Sequence, residues 1–212
     1  MGDDPKEVPW EGVFPFPHTR HNLISHNELH HMCLSMEDGN GIYVSGCGIG
    51  NEVCFNYVHH VGSRDHHGAL RTDDWTRSSR WHLNVVRHCT YAGFVLKHDN
   101  TVEDNLFIDS LAPLIGMLVV RRDPCEQSSV HRNVYLNSAD ENLSFVKLEK
   151  AQGLKDVDHN VYWAAGNEAW AHEALKEMRD QGFEANGAVV EVRLKDADRL
   201  DFRVEPNEQL EA

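Results

Sequence analysis

Apolar and polar positions alternate in short runs along this chain, and one polar residue returns among them at nearly constant intervals. Asn27, Asn56, Asn84, Asn105, Asn133 and Asn160 follow one another at separations of 29, 28, 21, 28 and 27 residues. An apolar side chain stands three residues before each (Ile24, Val53, Trp81, Val102, Val130, Val157) and another two after it (Leu29, Val58, Val86, Phe107, Tyr135, Tyr162). Such a period marks a repeated unit that cannot bury its apolar face alone, so neighbouring units must stack. Each unit then carries a second alternating run: NGIYVSG (40–46), GALRTDD (68–74), AGFVLKH (92–98), IGMLVVR (115–121) and LSFVKLE (143–149). Strand-period runs with short turns and no intervening helix pair in parallel, each coil on the next, rising about 4.8 Å per coil. The pattern predicts an all-β chain, a right-handed parallel β-helix of about six coils. The repeated Asn is expected at one bend of every coil, where side-chain amides bond the backbone and each other.

Four prolines in residues 1–17 predict an irregular lead-in, and the coils run over 18–166. In residues 167–182, Trp170, Leu175 and Met178 share a helical face and Gly182 is a stop signal, so a helix is expected to cap the last coil. Residues 183–212 read as two short closing strands, AVVEVRL and LDFRVEP, followed by an acidic tail. No equivalent cap stands before the first coil, which predicts a homo-oligomer that buries it.

Charge narrows the partners. Twenty Lys and Arg against 34 Asp and Glu give a net charge of −14, which argues against nucleic acid and anionic membrane surfaces. The excess is uneven: residues 62–137 hold nine of each sign, so a local basic cleft is expected there. Five cysteines without metal-ligand spacing read as free thiols, several of them in the core. No run reaches the ~20 apolar residues of a membrane helix. The opening MGDDPKEVPW is not a secretory leader. The expectation is a cytoplasmic protein, or a secreted or periplasmic one whose leader has been removed.

Aligning the second strands exposes the candidate chemistry. With Ile42, Leu70, Phe94 and Met117 inward, the outward column reads Tyr43, Arg71, Val95, Leu118, and the next reads Ser45, Asp73, Lys97, Val120. Asp74, His98 and Arg121 follow at the strand-to-turn edge. The opposite register would bury Arg71 and Asp73. Glycoside hydrolysis needs two carboxyls flanking the bond: Asp73 and Asp74 are candidates, with His98 and Asp99 beside them, provided the strand bends. Elimination on a uronate needs a base and a carboxylate-binding cation, which Lys97 with Arg71 or Arg121 would supply. The bland reading is a solvated Asp73–Lys97 ion pair. His67 precedes GALRTDD, and Asp38 and Asn40 precede the first clean strand, so all three border the same groove. His31, His60 and His88 are expected to stack in a column. That column could hold a divalent cation, but no carboxylate at fixed spacing completes a site, so neither metal nor cofactor is assigned.

The stretches HNELHHMCLSMEDGNGIYVSG (26–46), NEVCFNYVHHV (51–61), GALRTDDW (68–75), GFVLKHDNTVEDNLFID (93–109) and HNVYWAAG (159–166) resemble the β-helix repeats of bacterial carbohydrate-active enzymes, whose fold is pectate-lyase-like. The resemblance implies a groove along one sheet that binds an extended polysaccharide. Polygalacturonase-like hydrolases have an Asp-Asp pair, then a His and a basic residue on successive coils, an order similar to Asp73–Asp74, His98 and Arg121. The third Asp and the Gly-His-Gly setting of that family are absent. Alginate and chondroitin lyases of this fold use a Lys and then an Arg, similar to Lys97 and Arg121. The resemblance implies a polysaccharide-acting enzyme, foremost a glycoside hydrolase, with a lyase or a catalytically silent glycan-binding protein as alternatives. Arg71, Tyr43, His67, Asp99, Arg121 and Asp38 would hold the sugar.

Overall fold

The structure, a computed structural model, describes residues 12, 16, 18–36, 38–62, 68–74, 76–109, 118–120, 127–138, 145–148 and 154–207. They form a parallel β-solenoid of about five turns with one short helix near the C-terminus. Three sheets make its walls. The first stacks Leu23–Ser25, Glu52–Cys54, Arg80–His82, Thr101–Glu103, Ser129–His131 and Asp156–Asp158 in that order. The second stacks Glu28–His30, Tyr57–His59, Val85–Arg87, Leu106–Ile108, Val134–Asn137 and Val161–Ala164, and Ala188–Val189 adds a seventh strand. The third holds the second strands of each coil: Asn40–Val44, Gly68–Thr72, Ala92–Leu96, Leu118–Val120 and Val146–Leu148.

Alternation decides which side chains enter the core. Val53, Trp81, Val102, Val130 and Val157 are Cα partners along the first sheet. Val58, Val86, Phe107, Tyr135 and Tyr162 are partners along the second. Both columns point inward and are buried. Burial at about 25 cal/mol per Å² of apolar surface drives the stacking. Like rings then lie on like rings, Phe107 on Tyr135 at 5.4 Å and Tyr135 near Tyr162 at 5.3 Å.

The asparagines form the expected ladder between the first two sheets. Each Nδ2 donates to the next Oδ1, from Asn27 through Asn56, Asn84, Asn105 and Asn133 to Asn160, at 2.9 to 3.0 Å. Each backbone N–H donates to the same oxygen. The residue before each Asn (His26, Phe55, Leu83, Asp104, Arg132, His159) takes a left-handed backbone, φ 51 to 60°. That conformation is unfavourable for side chains with a Cβ, and the ladder holds it in place.

Glu184 ends the ladder in place of a seventh Asn. Its Oε1 accepts from Asn160 Nδ2 (2.7 Å) and Tyr162 O–H (2.8 Å), and Oε2 accepts from the Asn160 N–H. Burial pushes its carboxyl above the ordinary carboxylate value, against the pull of those donors. A Cβ on Gly187 would stand 2.3 Å from Oε2, so glycine is needed there.

The helix α1 (Glu168–Asp180) closes the same end. Asn167 caps it by accepting from the Trp170 N–H, and Gly182 follows at φ 88°. Ala171, Leu175 and Met178, four and three residues apart, pack on the solenoid core, with Trp170 half-buried beside them. The two predicted closing strands differ in use. Ala188–Val189 extends the second sheet, while Leu194–Asp196 and Asp201–Val204 form an antiparallel hairpin. That hairpin lays Leu194, Phe202 and Val204 on the outer face of the second sheet, against Val85, Leu106 and Leu136.

One register differs from the sequence expectation. Leu118 is the Cα partner of Phe94, and Val119 that of Val95 and Lys147. The column that starts at Tyr43 therefore runs Tyr43, Arg71, Val95, Val119, Lys147. The fourth and fifth strands are thus each one residue out of the alignment, which places Met117 and Phe145 beside Phe94 where Leu118 and Val146 stand.

Candidate functional site

Five of the predicted site residues converge around Asp73 at the edge of the third sheet. The strand Gly68–Thr72 has Leu70 and Thr72 inward, which turns Arg71 outward beside Tyr43. Thr72 is satisfied inside the wall, where its hydroxyl donates to the Lys97 carbonyl (2.9 Å) and accepts the Lys97 N–H (2.8 Å). That exchange clamps the ends of two coils together and aims Lys97 at Asp73. The Asp73 carboxylate is 5% exposed and has donors on both oxygens. Oδ1 takes Lys97 Nζ and the Asp74 N–H (2.9 Å), and Oδ2 takes Tyr43 O–H (2.8 Å) and Arg71 Nη2 (2.6 Å). Arg71 also reaches Asp38 at 2.8 Å and lies over the Tyr43 ring, 5.5 Å from its centroid. Lys97 also reaches Asp74 at 3.2 Å.

Both Asp73 and Asp74 touch one ammonium because the strand ends at Thr72 and the chain bends there. Burial pushes the Asp73 carboxyl up. Lys97, Tyr43 and Arg71 outweigh that and bring it down to about 2. It is held as an anion. Tyr43, Asp38 and Asp74 form the open rim: the Tyr43 residue is 52% exposed, and the Asp38 and Asp74 side chains are 72% and 47% exposed.

The other predicted residues are placed differently. Asp99 pairs with Arg77 (2.8 Å) and accepts the Gln127 N–H, which ties it to the corner leading into the first sheet. His98 sits at that same corner with φ 55°, its carbonyl accepting from Ser128 Oγ. His67 and Arg121 lie outside the described residues.

The imidazole column is present on the second sheet and is double. His30 stacks on His59 (5.2 Å) and His31 on His60 (5.0 Å), with His88 edge-on beyond (5.2 Å). Within each pair the Nδ1 atoms meet, at 2.8 Å for His30–His31 and 2.6 Å for His59–His60. The row ends on Asp109, 3.5 Å from His88. Burial depresses the pKa of His60, and the neighbouring His59, His88 and His31 depress it further. Burial and Arg87 depress that of His88, against Asp109. A folded pKa below the ordinary imidazole value of about 6.5 stabilises the fold above that pH. The contribution is lost as the pH falls from there through the depressed values, because the unfolded chain takes up protons first. Urea unfolding of His60→Gln should therefore depend less on pH below about 6.5 than that of the unaltered protein. Parallel profiles would refute this.

A third group has no contiguous motif in the sequence. On the outer face of the first sheet, Glu52 Oε, Cys54 Sγ and a ring nitrogen of His82 lie within 4.8 Å of one another, with Cys54 and His82 buried. Among the described residues these are the side chains grouped closely enough to hold a metal. Alignment on the ladder contained the signal, since Cys54 and His82 both stand two residues before an Asn of the repeat.

Comparison with protein-family models, curated proteins and solved structures finds no match to this chain in any of the three.

Proposed function

We propose that this protein binds an extended glycan along the outer face of its third sheet and does not cleave it. One observation carries the reading. The central carboxylate, Asp73, has Lys97, Tyr43, Arg71 and the Asp74 N–H on its two oxygens, while groups suited to sugar remain at the rim. A general acid must carry a proton near its working pH, and a carboxyl held at about 2 does not. Elimination would need an unprotonated Lys97, whereas Nζ donates to two carboxylates. The knot instead fixes Tyr43 and Arg71 as a rigid platform. An aromatic ring backed by a guanidinium offers an apolar face to a pyranose, and the exposed Asp38 and Asp74 accept from its hydroxyls. The choice of a glycan follows from the sequence resemblance and from the parallel rows of the solenoid, which suit a repeating linear ligand.

A second reading, glycoside hydrolysis, draws on a separate observation: Lys97 contacts both Asp73 and Asp74, so two carboxyl groups, the residue type that this chemistry uses, stand side by side at the groove. One experiment separates the two. Plant and algal polysaccharides immobilised on an array are probed with the protein, and the soluble polymers are assayed for reducing ends. Retention without release is expected, weakened at least about tenfold by Tyr43→Ala, as loss of an anchoring aromatic does. Release of reducing ends that Asp74→Asn abolishes would replace the binding reading with hydrolysis. Retention on no glycan would remove both.

A further inference from the structure

We propose that Glu52, Cys54 and His82 form a binding site for a divalent transition ion of the zinc class, on the outer face of the first sheet and independent of the glycan platform. The backbone builds the site. Glu52 and Cys54 are two apart on one strand and so face the same way, and Cys54 is the direct Cα partner of His82 on the next coil. Parallel pairing locks that neighbour relation, so the three donors come from rigid elements rather than a loop.

The donor atoms are already gathered. A tetrahedral ion with ligands at about 2.0–2.3 Å keeps them roughly 3.3–3.8 Å apart. The three lie within 4.8 Å of one another, so closure needs side-chain adjustment of about 1 Å and no backbone movement. His82 Nε2 donates to Glu52 Oε1 across 2.6 Å, so the two ligand atoms already face each other and an ion would take the place of the proton between them. The donor set selects the metal. Thiolate with imidazole and carboxylate suits zinc and its neighbours and disfavours calcium or magnesium, which prefer oxygen alone. Binding would release the Cys54 thiol proton and move the ring proton of His82 from Nε2 to Nδ1, so the imidazole stays neutral. The result is a site with one dication and two anionic ligands, neutral overall.

Burial makes the grouping informative. Cys54 is 4% and His82 6% exposed although both lie on the outward side of a wall strand. Phe55, in its left-handed corner, brings its ring edge-on within 6.2 Å of His82, and His26 stacks on Phe55 at 5.2 Å. The Phe55 ring thus borders one side, and the half-exposed Glu52, with Arg80 4.0 Å from its Oε1, marks the open one. A thiol buried only for packing would not require an imidazole nitrogen and a carboxylate oxygen beside it.

The full chain, stripped with a chelator, is titrated with cobalt(II) and then with zinc. One equivalent of cobalt with a sulfur-to-cobalt charge-transfer band is expected, and zinc should displace it. Cys54→Ser should abolish the band, while Cys33→Ser, Cys47→Ser and Cys89→Ser each leave it. His82→Gln and Glu52→Gln should each weaken zinc by at least about tenfold, judged against a chromophoric chelator. Glu52 is exposed enough that its substitution leaves the fold intact, which circular dichroism checks. No charge-transfer band, or a band surviving Cys54→Ser, would overturn the proposal. Zinc uptake unchanged by all three substitutions and lost in His60→Gln would assign the metal to the imidazole column, and overturn it too.

Discussion

Asn105→Ala should lower the unfolding free energy by about 3–5 kcal/mol, since it removes one buried partner and strands several groups at once. Asn105 is 1% exposed and sits in the middle of the ladder. Its Oδ1 accepts from the Asn84 N–H at 3.0 Å and from Asn84 Nδ2 at 2.9 Å. Its Nδ2 donates to the Trp81 and Glu103 carbonyls, each at 2.9 Å, and to Asn133 Oδ1 at 3.0 Å. Alanine leaves the two Asn84 donors facing a methyl group, and each buried unsatisfied group costs about 1–3 kcal/mol. Asn27 is the matched control. It lies at the solvent-exposed end, where water replaces what Ala cannot supply, so Asn27→Ala should cost about 1 kcal/mol or less. Urea unfolding of the two variants tests the comparison. Equal losses would mean that the ladder is ornamental and that inward apolar packing alone holds the coils.

Asp73→Ala should cost about 3 kcal/mol, and the loss should be electrostatic in origin. The substitution leaves the largely buried Arg71 and Lys97 without their shared anion, although Asp38 and Asp74 retain one contact to each. Acid titration separates this from lost packing. A folded pKa of about 2 against 3.8 unfolded stabilises the protein above pH 3.8, by roughly 2 kcal/mol. That contribution falls away as the pH drops through 3.8 towards 2, because the unfolded chain is protonated first. Asp73→Asn conserves shape and should remove this acid limb. In a double-mutant cycle, Lys97→Met should cost little once Asp73 is gone. An acid limb unchanged in Asp73→Asn, or additive single and double substitutions, would show that the knot is not the source of that stability.

Much of the fold was legible. Strands of one coil alternate with a period of two, so Val53, Trp81 and Val102 had to enter the core together, and the Asn between them marked the bend. Less legible was the left-handed backbone before each Asn. Phe55, Leu83 and Arg132 occupy it, and none is a residue that advertises such a conformation. The Glu184 end of the ladder was equally hidden, because a carboxylate takes the place where the repeat leads one to look for an amide.

The candidate site divides in the same way. Tyr43, Arg71, Asp73 and Lys97 fell into adjacent outward columns from alternation alone. Their roles did not. Asp73 reads as a catalytic carboxyl in isolation, and its neighbours make it the anion of a saturated knot. Asp99 stood one residue past His98 and so seemed to share the groove, yet the chain turns there and Arg77 draws it to the next corner.

By itself the sequence determined the solenoid, its inward columns and its scaffold amides, because those depend on periodicity and on burial, which are local properties summed along the chain. Only the tertiary structure decided which outward groups meet. Asp38 and Arg71 are 33 residues apart, and Asp73 and Lys97 are 24. Contacts at that range depend on the register between coils. A slip of one residue moves a side chain from one face of the wall to the other, and the backbone pairing of Leu118 with Phe94 is a step of that size from the alignment.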